Sequence, residues 1–161
     1  MPLRLAVVAV GSLKEKHYRE ACAEYVKRLK LLRAVELIEI KEEPLVDEGQ
    51  PALREKALEA EAKRILGRLD KDDVAVALAP NGKMMDSTEF ARMIDPTASP
   101  EIRRMVFIIG SSHGLGREVY THCRWSLSFG PMTFPHQLAR VMLLEQIYRA
   151  EMILRGRAYH K

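Results

Sequence analysis

Three stretches in the last third of the chain hold residue types that serve chemistry. The first is Gly110-Ser-Ser-His-Gly-Leu-Gly116, directly after an apolar run. Its glycines are spaced by four and two, which is not the dinucleotide fingerprint, and no Lys-Ser/Thr follows to make a phosphate-binding loop. It does fit G-x-S-x-G, with Ser112 at the nucleophile position of a serine esterase. That chemistry needs an acid and then a histidine downstream. The sequence offers Glu118, Glu145 or Glu151 before His160, no aspartate beyond Asp95, and no oxyanion loop of the H-G-G-G kind. Two other readings stand: a turn that only reverses the chain, and a backbone that approaches a ligand at the carboxyl end of a strand.

The second stretch is Ser128-Phe-Gly-Pro-Met-Thr-Phe-Pro-His136, a connection stiffened by two prolines yet rich in apolar side chains. Such a loop either tucks onto the core or lines a pocket. Apolar walls with exposed backbone amides suit a flat heterocycle such as adenine. The third stretch is the helix and tail that follow. His136 and Arg140 lie one turn apart, and Glu145 and Arg149 share the i, i+4 spacing of a structural ion pair. Arg155, Arg157, Tyr159, His160 and Lys161 crowd the C-terminus. They form either a frayed basic end or a segment that folds back into a site.

The elements that must position these groups follow from periodicity. Leu3 to Val10 is a nearly continuous apolar run ending at Gly11, as expected for a strand buried on both faces. A helix is expected from His17 to Leu32, a strand over Val35–Ile40, and an acidic loop over 41–50. Pro51 opens an Ala/Glu/Lys/Leu-rich helix that Gly67 ends. Val74–Leu78 is a third strand, with a turn at Pro80-Asn-Gly82 and a short helix capped by Ser87. Met105–Ile109 and Trp125–Phe129 are two more strands, with a short helix near Arg117–His122 between them. The longest helix runs from about Pro135 to Arg155. Strands alternating with helices predict a single α/β domain over residues 1–161, with a mostly parallel sheet flanked by helices.

Composition narrows the class. The 161 residues are 47% hydrophobic and 30% charged, which fits a folded globular chain. Cys22 and Cys123 have neither disulfide-scaffold nor zinc spacing. No apolar run reaches the ~20 residues of a membrane span, so a cytoplasmic, reducing location without membrane or metal is expected. The net charge is +4, but it is uneven: +3 over residues 1–40, −4 over 41–100 and +5 over 101–161. Arginine supplies eight of the nine basic residues in the last segment. Its planar fork suits phosphate and base edges, whereas a solvated arginine surface is the plainer reading.

Taken together, these stretches resemble one family. Phe107-Ile-Ile-Gly-Ser-Ser-His-Gly-Leu115, Trp125-Ser-Leu-Ser128, Met132-Thr-Phe-Pro-His-Gln137, Arg140-Val141, Glu145-Gln-Ile-Tyr-Arg-Ala150 and Tyr159-His160 carry the likeness. The family is the large-subunit ribosomal RNA methyltransferase H group of the SPOUT superfamily. One departure is Ser111, where the family reads a second glycine.

The resemblance implies a C-terminal trefoil knot, which nothing in the periodicity shows. It implies S-adenosylmethionine as cofactor, held by Leu78, Gly110 and the stretch Phe129, Gly130, Pro131, Met132, Thr133 and Phe134. It further implies methylation of N3 of a pseudouridine in large-subunit ribosomal RNA, on the assembled ribosome, by a homodimer. That imide nitrogen must lose a proton. His136 and His160 are the candidate bases, Arg140 and Arg149 the candidate cations for the uracil oxygens, and Tyr159 a group to stack on the base. A small esterase using Ser112 and a non-catalytic RNA-binding module are the alternatives, and neither should retain S-adenosylmethionine.

Overall fold

A computed structural model describes residues 2–161. The apolar run after the N-terminus forms β1 (Arg4–Val10), the second strand from the edge of a five-stranded sheet in which every pairing is parallel. The other strands are β2 (Val35–Ile40), β3 (Val74–Met84), β4 (Arg104–Ile109) and β5 (Trp125–Ser128). Their order across the sheet is β2-β1-β4-β3-β5.

Strand pleating explains why the inner strands read as unbroken apolar runs. Leu5, Val7 and Ala9 of β1, with Met105, Phe107 and Ile109 of β4, point into one core. Ala6, Val8 and Val10, with Val106 and Ile108, point into the other. Helices α1 (Lys16–Lys30), α3 (Ser87–Met93) and α5 (His136–Leu154) cover the first face. Helices α2 (Pro51–Leu66) and α4 (Arg117–His122) cover the second. Helix α5 buries Arg140, Leu143, Leu144, Ile147, Ala150 and Glu151, a single stripe at helical spacing. The two charged members of that stripe are paired: Arg140 with Glu39 at 2.7 Å, and Glu151 with Arg33.

Two local expectations change. Pro80-Asn-Gly82 does not end β3; it is an irregularity inside a longer strand. Leu127 of β5 pairs with Leu78 before the irregularity and with Lys83 after it. Gly82 permits this close passage, because a Cβ there would sit 2.8 Å from the backbone carbonyl carbons of Ser126 and Leu127. The cap of α3 is Asp86, not Ser87. Asp86 Oδ1 accepts the Glu89 amide at 2.7 Å while Glu89 Oε2 accepts the Asp86 amide at 2.8 Å, a reciprocal capping box. Ser87 instead donates its hydroxyl to Gln146 of α5 at 2.7 Å.

Candidate active site

Because all strands run the same way, their carboxyl ends share one edge of the sheet, and a crevice opens there. It is about 730 Å³, walled by the middle of β3, the turn after β4 and the loop after β5. Leu78, Gly110, Phe129, Gly130, Met132, Thr133 and Phe134 all line it. Pro131, expected with them, is exposed and lies outside the lining. Ala79, Pro80, Ile109, Ser111 and His113 also line the crevice. Sequence reasoning misses Ala79 and Pro80 because β3 is expected to end at Leu78, whereas Ser111 and His113 fall in the Gly110–Gly116 stretch already singled out, next to Ile109.

The wall after β4 is folded tightly on itself. The Gly114 amide donates to the Ser111 carbonyl at 2.9 Å, and Gly114 has φ +86°. A Cβ on Gly110 would lie 2.6 Å from the Gly114 carbonyl carbon. The turn itself therefore requires glycine at position 110, and Gly110 also lines the crevice. The wall after β5 is held by Ser128. Its hydroxyl lies 2.8 Å from the Pro80 carbonyl and 3.0 Å from the Gly130 amide, which it accepts. That contact clamps the β3 irregularity to the apolar loop. Gly130 has φ +119°, a conformation that favours glycine, and its free side faces open space.

One end of the crevice is polar. The His136 ring stands beside Gly11 and Glu42, with Nε2 and Glu42 Oε2 each 3.6 Å from where a Gly11 Cβ would lie. Burial pushes the His136 pKa below its ordinary value, opposed by Glu42 and aided by Arg140 and Lys14, so the ring is neutral near pH 7. Arg140, one turn further along α5, does not reach the crevice. It is buried, donates to Glu39 at 2.7 Å and to the Gly11 carbonyl at 3.2 Å, and its Nε has no partner. Its arrangement is that of an anchor between α5 and the ends of β1 and β2, not of a cation facing a substrate.

A second cavity of about 610 Å³ adjoins the first across Leu127 and Phe129. It is lined by Met84, Asp86, Phe90, Met142, Glu145, Gln146 and His160 among others. Here the C-terminal tail folds back onto α5. Tyr159 donates its hydroxyl to Glu145 at 3.0 Å, and Glu145 also accepts from Arg149 at 2.9 Å. The Arg149 guanidinium covers the Tyr159 ring at 4.8 Å, and its Nη1 lies 3.3 Å from His160 Nδ1. Tyr148 meets Tyr159 edge-on at 4.9 Å. Burial and the hydrogen bond to Glu145 push the Tyr159 pKa up to about 12, so the phenol keeps its proton. The expected residues thus divide into two groups. His136 lines the first cavity and His160 the second, while Arg149 and Tyr159 contact His160 and Glu145 without lining either cavity.

Ser112 is exposed on the crevice wall, and among the described residues no histidine ring hydrogen-bonds it. No group of three or more His, Cys, Asp or Glu among the described residues suits a metal. No described helix is long and apolar enough to cross a membrane. The first cavity has the character a nucleoside-type ligand needs: mostly apolar walls, an open glycine at φ +119° and three converging backbone loops.

Comparison with known proteins gives concordant results. Residues 3–160 match the family described as Predicted SPOUT methyltransferase. A protein of Carboxydothermus hydrogenoformans named Ribosomal RNA large subunit methyltransferase H is 43% identical, covering 99% of this chain and 100% of its own. A protein of the same name from Lactococcus lactis subsp. lactis is 42% identical over the same shares. Among solved structures, a methyltransferase from Legionella pneumophila in complex with bound SAM superposes with a TM-score of 0.50 at 15% identity. That match covers 92% of this chain and 66% of the other.

Proposed function

The chain belongs to the SPOUT methyltransferase family, and from that premise we propose that it methylates large-subunit ribosomal RNA with S-adenosylmethionine, at N3 of a pseudouridine. The observation that carries the reading is the crevice at the carboxyl edge of the sheet, where three loops meet around apolar walls. The cofactor, when bound, supplies a methyl group activated by a sulfonium. Leu78, Phe129, Met132 and Phe134 would hold its apolar parts, and the backbone at Gly130 would meet its polar edges.

The acceptor base enters from the second cavity, so that donor and acceptor meet across Phe129. Glu145 and His160 line that cavity, and in this reading Arg149 and Tyr159, which contact them, supply the cation for the uracil oxygens and the ring that stacks on the base. The N3 proton passes to an imidazole nitrogen. His160 lines the acceptor side and His136 the cofactor side. Positioning does most of the remaining work, since a sulfonium needs little further activation.

A homodimer is part of the same reading, supported by the exposed apolar residues Met84 and Met132, which line the second and the first cavity. So is a knotted C-terminal segment, to which the return of α5 from the β5 edge onto α1 and α3 lends support.

Calorimetry with S-adenosylmethionine tests the cofactor, and methyl transfer to ribosomes lacking this modification tests the reaction. Saturable binding and one new methyl group in large-subunit RNA are expected. A folded protein that binds no S-adenosylmethionine overturns the reading. Deleting residues 159–161 should leave cofactor affinity intact and reduce transfer at least ~100-fold, the low end for removing a proton-transfer group. A near-normal rate would remove the tail from the site.

A further inference from the structure

Glu61 has no part in the mechanism above, yet its carboxylate is buried in α2 with only 3% of the residue exposed. Both of its oxygens are used. Oε2 accepts the Glu43 amide at 2.9 Å, and Oε1 accepts the Ser111 hydroxyl at 3.2 Å. Ser111 Oγ in turn accepts the His113 amide at 3.4 Å. One carboxylate therefore ties together two loops that flank the crevice. The loop after β2 carries Glu42 beside His136, and the turn after β4 forms a wall. Arg64, one turn further along α2, grips the same loop through the Glu43 carboxylate and the Lys41 carbonyl. At the far end of the turn, a Cβ on Gly116 would come within 2.9 Å of the Leu58 carbonyl oxygen of α2.

Burial pushes the Glu61 carboxyl above its usual range, against the pull of its hydrogen bonds. A buried carboxylate is a poor device for stability alone, since apolar residues of like size generally serve better. What the carboxylate provides is two directed acceptors in fixed relation. We infer that Glu61 is a positioning residue for the cofactor crevice: through Ser111 and Glu43 it fixes the Gly110–Gly114 turn against the loop after β2. The inference rests on the reading of that crevice as the S-adenosylmethionine site.

The test compares Glu61→Ala, Glu61→Gln and Ser111→Ala in the full chain, with S-adenosylmethionine affinity, kcat and amide hydrogen exchange as readouts. Glu61→Ala should weaken cofactor binding about tenfold or more, in line with the loss of hydrogen bonds to a charged group. At saturating cofactor, kcat should fall less than affinity does. Glu61→Gln should restore affinity to within about threefold, because its amide oxygen can accept from Glu43 while its NH₂ donates to Ser111 Oγ. Ser111→Ala should speed exchange of amides 111–114 without speeding exchange in β1 or β4, and should weaken cofactor binding.

If wild type binds S-adenosylmethionine and folded Glu61→Ala binds it equally well, the inference fails while the functional reading stands. If wild type does not bind, the functional reading itself fails. Should Glu61→Ala not fold, Ser111→Ala decides: unchanged affinity together with unchanged exchange overturns the inference.

Discussion

His136 shows how much a single residue's role depends on its surroundings. Its pKa is lowered first by burial, with Glu42 pulling the other way. Folding therefore favours the neutral ring. Its contribution to stability is full above the unfolded value of 6.5 and is lost as pH falls through the lowered folded value. Between about pH 7.5 and about pH 5, the melting temperature of wild type should thus drop further than that of His136→Asn. Equal drops in thermal melts would show that the ring is not held neutral. Arg140 makes the complementary point. Spacing correctly placed it one turn from His136, but periodicity carries no information about Glu39, 101 positions away, which neutralises it. The chemistry of these residues was legible in their types. Their partners were not, because the partners come from tertiary packing.

At the scale of elements, the inner strands and long helices were legible because apolar runs and helical stripes leave strong patterns. The end of β3 was not. Pro80-Asn-Gly82 has the composition of a turn, and only the presence of β5 alongside turns it into an irregularity within a strand. Likewise Asp86 won the cap from Ser87 because Glu89 completes a reciprocal pair with it. The β3 irregularity has a measurable role, since Ser128 is clamped to Pro80 there. Gly82→Ala forces a side chain to within 2.8 Å of β5 backbone carbons, so β5 must shift. Urea unfolding should show a loss of about 1–3 kcal/mol, the usual cost of overpacking. Cofactor affinity should fall as well, because the loop after β5 moves with its strand. A variant with wild-type stability and affinity would mean that the strands separate there without effect.

Over the whole molecule, the two edges of the sheet do different jobs. At the amino-terminal edge, the buried guanidinium of Arg104 bonds Asp73 at 2.7 Å and Glu36 at 3.2 Å. The Asp73 side chain is only 3% exposed, so removing its partner strands a buried charge. Arg104→Leu should cost about 3–5 kcal/mol in chemical denaturation. Cofactor affinity of the folded fraction should not change, because the crevice lies at the opposite edge. Pairing this change with Asp73→Leu should recover much of the loss. Weakened cofactor binding in the single variant, measured well below its unfolding transition, would contradict this separation of edges.

The strand order also governs how the chain must be made. Arg4–Val10 is bordered on one side by Val35–Ile40, but its other neighbour, Arg104–Ile109, lies 100 positions later. A ribosome adding ~5–20 residues per second leaves that side of the strand unpartnered for roughly 5–20 s. Throughout that interval the nascent chain carries one of its most apolar segments with a bare edge, open to a chaperone or to another chain. The enzyme's yield in a cell should therefore respond to translation speed across its middle third more sharply than its equilibrium stability would indicate.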